Sequence, residues 1–141
     1  MFSAYGTPQA VLSTVLAGRE LGFPAMVSLR AFHVIDGKAT LSAEAIRARV
    51  LTSGKANYFR CTERTATRAT FETQRGDDPP MSLTYTIEEG RAAWPKGDSE
   101  WAKSGWGKNP ADMLTARASA KLARLVYPDV TLGLYAAEEM D

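Results

Sequence analysis

A chain of 141 residues with a formal net charge of +1, 45% hydrophobic and 23% charged residues has the size and composition of one soluble globular domain. No apolar run approaches the roughly 20 residues that cross a bilayer, and the start, MFSAYGTPQA, lacks the basic and apolar regions of a secretory signal. Cys61 is the single cysteine, which excludes an internal disulfide and fits a reducing cytoplasm.

Thr7 followed by Pro8 is an N-cap and first-turn pair, Val11, Leu12, Val15 and Leu16 recur at helical spacing, and Gly22 and Pro24 end the run. This predicts a first helix. In AFHVIDGKATL two short apolar runs flank Asp36-Gly37, a pair that accepts the positive φ angles of a tight hairpin turn. His33, the only histidine, falls in the first of these strands between Phe32 and Val34, a structural rather than a catalytic setting. Ser42 then caps a second helix, AEAIRARVLTS, which Gly54 stops.

The stretch ANYFRCTERTATRATFETQRGDDPPMSLTYTIEE is rich in Thr, Tyr, Phe and Arg and predicts two or three antiparallel strands, with RGDDPP as a loop between them. Alternation points Phe59, Cys61, Ala69 and Phe71 inward and Arg60, Arg64, Arg68 and Glu72 outward; a one-residue slip would invert the assignment. From Arg47 to Arg75 seven cations stand against Glu63 and Glu72, a local charge of +5 that the acidic residues further on hide in the total. Such a block serves either as a solvated face or as a surface for a polyanion. The following GRAAWPKGDSEWAKSGWGKNP holds three Trp among Gly, Pro and Lys and is too irregular for one element; two of its three Trp are expected to be buried as core plugs.

Asn109-Pro110 starts the last long helix as cap and first residue, Asp112 lies in its first turn where the helix dipole favours an anion, and Pro128 ends it. At about 100° per residue, Leu114, Ala118, Leu122, Leu125 and Val126 form a core flank, and Ala116, Ala120 and Ala123 a second, small-residue flank. Arg117, Lys121 and Arg124 make a stripe between them. The stripe is either a solvated face or a row of phosphate contacts. Trp94, Lys96, Trp101, Lys103, Trp106 and Lys108 in the preceding segment interleave rings with ammonium groups, as single-stranded nucleic acid requires. Order and type of elements predict one α+β domain over 1–141, an antiparallel sheet with a hairpin and with helices packed on one face.

Catalytic constellations are sparse. Cys61 has no activating neighbour in sequence, and no Gly-rich phosphate loop of the P-loop form occurs, which argues against an ATP-driven motor. The pairs Asp77/Asp78, Glu88/Glu89 and Glu138/Glu139 leave a two-metal nuclease as a remote alternative.

The segments HVIDGKATLSAEAI and SLTYTIEE, Trp106, NPADMLTARASAKLARLVYPD and GLYAAEE, in this order and spacing, resemble the RecT family of phage single-strand annealing recombinases, in its larger group with Bet. The resemblance spans most of the chain from about Leu21 to Glu139. It implies a protein that binds single-stranded DNA and pairs complementary strands without ATP, as a ring or helical filament, with DNA in a basic groove along the C-terminal long helix. Arg117 and Arg124 match groove positions of the family, and Lys121 follows from its place on the same face. Lys103, Lys108, Trp106 and the strand cations Arg60, Arg64 and Arg68 complete the expected DNA surface. No cofactor is implied beyond Mg²⁺ accompanying DNA. Implied partners are single-stranded DNA, further copies of the chain, a phage exonuclease and a host single-strand-binding protein, with no membrane. Typical relatives are longer at both ends, which bears on oligomer type and partner recruitment; the alternative is a DNA-binding or inhibitory module of the same fold that does not anneal.

Overall fold

The structure is a computed structural model that describes 32–35 and 38–139, with side chains from residue 41 onward, besides the isolated Leu12 and Leu16. The helix expected around Val11–Leu16 otherwise lies outside the described residues, as do Asp36 and Gly37. The strands flanking that dipeptide, β1 (Phe32–Ile35) and β2 (Lys38–Leu41), pair antiparallel with Ile35 opposite Lys38, as a two-residue hairpin requires, and His33 stands opposite Thr40.

Ser42 opens α1 (Ala43–Thr52), its hydroxyl accepting from the Ala45 N–H at 3.1 Å, and Gly54 follows the helix at a φ of 77° that suits glycine. The chain then builds an antiparallel sheet in the order β3 (Ala56–Arg64), β4 (Arg68–Arg75), β5 (Met81–Thr86). Helices pack on one face of it. That face carries the buried Phe59, Ala69, Phe71 and Tyr85, whereas the other presents Arg60, Thr70, Glu72, Ser82 and Thr84.

Between β5 and the long helix, three short helices replace the expected irregular loop: α2 (Ile87–Ala93), α3 (Asp98–Lys103) and α4 (Gly105–Lys108). A capping box starts α2: the Thr86 hydroxyl accepts from the Glu89 N–H while the Glu89 carboxylate accepts from the Thr86 N–H, each at 3.2 Å. The T-x-x-E spacing of this box was present in the sequence. The long helix α5 (Pro110–Val126) begins where Asn109-Pro110 places it, although the Asn109 side chain makes no capping bond. Tyr127 and Pro128 then turn the chain into α6 (Pro128–Thr131), and a 3-10 turn over Ala137–Glu139 follows.

α5 is the central element, lying against β4, β5 and α1. Leu114, Ala118 and Leu122 are buried as expected, but so are Ala116, Ala120 and Ala123, while Leu125 is 57% exposed and Val126 half-buried. The alanine flank is therefore an internal packing surface, since small side chains let a second layer approach the helix. What remains open to solvent on the C-terminal half of α5 is the narrow arc of Lys121 and Leu125. Below it, the Tyr127 hydroxyl lies 2.6 Å from that of Thr73, which in turn donates to the Tyr58 carbonyl at 2.7 Å. Since Thr73 has one proton and spends it on Tyr58, Tyr127 is the donor of the shared bond.

Candidate nucleic-acid interface

The expected DNA-contact residues do not share one surface. A β-bulge between Cys61 and Glu63 shifts the register of β3, so that Arg60 stands opposite Glu72 but Arg64 stands opposite the buried Ala69. Arg60 and Arg68 consequently lie on the open face, each with a carboxylate: Glu72 at 3.1 Å and Glu63 at 2.6 Å. Arg64, expected outward with them, turns to the helix side and pairs with Asp112 in the first turn of α5. Cys61 is opposite Phe71 on the helix side yet exposed, because α5 covers β4 and β5 more fully than β3.

The rest of the basic block is used internally as well. Arg75 donates to the Val126 carbonyl at 2.9 Å, neutralising the end of α5, and holds both oxygens of Asp129 at 2.7 and 2.8 Å. Lys55 joins the same carboxylate at 2.9 Å. With hydrogen bonds first from Arg75 and then from Lys55, the Asp129 carboxyl is held well below the usual carboxylate range. Arg49 donates to the Val130 carbonyl at 3.0 Å, and the Arg47 guanidinium lies 5.5 Å from the centre of the Phe71 ring. Most of the cations behind the net +5 thus have partners within the fold.

On α5 the stripe divides three ways. Arg117 is only 7% exposed, with its guanidinium 5.6 Å from the centre of the Trp106 ring, so the expected phosphate ligand is a core residue. Arg124 forms a two-pronged ion pair with Glu139 in which the Arg and Glu side chains keep 17% and 4% of their exposure. Lys121 alone of the three is exposed, its ammonium 4.9 Å from the centre of the Tyr85 ring.

The short helices bring the aromatic residues into a ladder. Trp94 meets Trp101 edge-on at 5.6 Å, Trp101 stacks on Trp106 at 5.1 Å with 14° between planes, and Trp106 lies 6.3 Å from Tyr85. Trp101 and Trp106 are buried and Trp94 is half-buried, so two of the three are core plugs. Trp106 therefore has no face to offer a base. Arg91 lies over Trp101 at 4.5 Å and pairs with Asp98 at 2.9 Å. Beside the ladder stand the exposed lysines Lys96, Lys103, Lys108 and Lys121; Lys96 lies 5.8 Å from the Trp94 ring centre. Among the described residues none of these four ammonium groups has a carboxylate within ion-pair distance.

This division of labour has a physical basis. Guanidinium groups are weakly hydrated, planar and suited to buried stacking and forked ion pairs, whereas ammonium groups are strongly hydrated and stay in water. Most of the arginines named above are engaged in packing or ion pairs, Lys55 joins Asp129, and Lys96, Lys103, Lys108 and Lys121 stay exposed without a carboxylate partner among the described residues. Exposed ammonium groups are able to bind phosphate oxygens as point charges without reading sequence.

The acidic pairs lie in separate places: Asp77/Asp78 in the turn before β5, Glu88/Glu89 at the start of α2, and Glu138/Glu139 in the 3-10 turn. Among the described residues no three His, Cys, Asp or Glu side chains converge on a point that would hold a metal ion. No described helix is long and apolar enough to cross a membrane. Compared with protein-family models and with curated proteins, the chain matches none.

Proposed function

We propose that the protein binds single-stranded DNA along the lysine rim of the tryptophan ladder and promotes annealing of complementary strands without ATP and without a catalytic residue. The observation that carries this reading is the set Lys96, Lys103, Lys108 and Lys121, exposed and without carboxylate partners among the described residues, on and beside the elements that carry a stacked pair of tryptophans. A strand held by its phosphates leaves its bases available, and a second strand then tests pairing while the protein cancels repulsion between two polyanions. Annealing, assembly into rings or filaments, a cytoplasmic setting and partnership with an exonuclease and a single-strand-binding protein come from the resemblance to RecT-type recombinases. Arg60, Arg64 and Arg68 are secondary contributors: their guanidinium side chains are half-exposed or more, such surface pairs are worth under about 1 kcal/mol each, and a phosphate can replace the carboxylate.

Mixing the protein with complementary labelled oligonucleotides, with no nucleotide present, tests the proposal. The expected result is duplex formation faster than the spontaneous rate, with both strands at full length. Binding without acceleration would select a non-annealing module of this fold, and Mg²⁺-dependent shortening would select a nuclease.

A further inference from the structure

Arg124 already has an anion in place, supplied by its own chain. Both terminal guanidinium nitrogens face the two Glu139 oxygens, with Nη2 to Oε2 at 2.6 Å, and the Tyr135 ring centre lies 4.2 Å from the guanidinium carbon. A forked guanidinium binds carboxylate and phosphate with the same geometry. Arg124 also sits three residues after Lys121 on α5, so their Cβ atoms are about 5 to 6 Å apart. The Glu139 carboxylate is therefore held about one helical turn from Lys121 by a group that would equally bind a phosphate.

The ties that hold this segment are mainly electrostatic. Glu138 accepts from the Ala43 N–H at 3.0 Å, Glu139 accepts from the Ala136 N–H at 2.8 Å, and a single parallel bridge joins Ala136 to Leu41. Ala136 contributes a buried methyl group and Leu134 packs part-buried against the core, whereas Tyr135 is 55% exposed and the 3-10 turn Ala137–Glu139 buries little beyond the Glu139 side chain in its ion pair. Leu134 and Ala136 are thus the main apolar anchors of the segment, and a small buried apolar area marks low local stability. A polyanion competes directly with contacts of this kind.

We propose that residues 134–139 are an internal phosphate mimic, a latch whose Glu139 fills the anion site of Arg124 until a bound strand displaces it. The proposal rests on the single-strand reading above. Opening adds Arg124 to the cation row and frees Tyr135 to stack on a base. The same displacement moves Glu138 and Glu139 away from the incoming phosphates.

Two measurements test it. In hydrogen exchange on the wild-type chain, saturating oligo-dT is expected to speed exchange at the Ala43 and Ala136 amides, whose acceptors are Glu138 and Glu139. Unchanged or increased protection there, with oligo-dT bound, overturns the latch even where a variant fails to fold. In filter binding at fixed salt, Glu139→Gln is expected to bind oligo-dT roughly fivefold tighter or more, and the gain is expected to vanish in an Arg124→Ala background. Wild-type binding with no gain in Glu139→Gln overturns the latch alone. Absence of oligo-dT binding by both proteins overturns the latch and the single-strand reading together.

Discussion

Asp129 lies where two cations converge, Arg75 at 2.7 and 2.8 Å and Lys55 at 2.9 Å, and so stays ionised in the folded chain at pH values where a free aspartate takes up a proton. Its folded pKa is lower than its unfolded one. The stabilisation is therefore fully present above the unfolded value of about 4 and fades as pH falls below it toward the folded value. Asp129→Asn is expected to lower Tm at pH 7, and the difference from wild type is expected to shrink as melts are taken below about pH 4. A difference that stays constant down to pH 2 would contradict the role of this carboxylate. At this scale the sequence misled in two places. Alternation placed Arg64 outward with Arg60, but the bulge after Cys61 moves it to the other face, and no local residue signals an extra residue in a strand. Cys61 lies on the expected face and is exposed because coverage depends on where α5 lies, which strand alternation does not encode.

Among the elements, α2 is fixed by a contact across space as much as by its capping box. A Cβ built on Gly90 would stand 2.7 Å from the Trp106 ring, and that ring is 2% exposed and stacked on Trp101, so it has nowhere to move. Gly90→Ala gains helix propensity of up to about 1 kcal/mol, yet the overlap is expected to dominate and destabilise the protein by about 1–3 kcal/mol in urea unfolding. Equal or greater stability would show that the ladder is looser than its distances imply. The capping box and the two buried Trp were accessible from the sequence, through the T-x-x-E spacing and the habit of tryptophan to plug cores. The burial of both flanks of α5 was not. A wheel diagram separates leucine, cation and alanine arcs but does not say how many layers press on a helix, and here the sheet and α1 cover two sides while Trp106 of α4 lies against Arg117, which is buried as well. The stripe of Arg117, Lys121 and Arg124 is thus one core residue, one exposed cation and one latched ion pair.

For the molecule as a whole, the α+β class, the hairpin, the antiparallel strands, the long C-terminal helix and the helices on one face were all legible in periodicity and caps. The location of the candidate site was only partly so. The +5 block suggested a polyanion surface, but its charges find partners distant in sequence, such as Arg64 with Asp112 and Arg75 with Asp129. Charge counted along a chain cannot show such pairings. In the proposed reading the exposed lysines are the primary phosphate ligands and the arginines are secondary, and the salt dependence of oligo-dT binding distinguishes the two groups. Each lost phosphate contact lowers the slope of log K against log salt by about 0.7 for single strands. Replacing Lys103, Lys108 and Lys121 together by Ala is therefore expected to flatten the slope by about 2 while leaving Tm unchanged, since all three are exposed. An unchanged slope and affinity in the folded triple variant would contradict the assignment of these lysines as phosphate ligands.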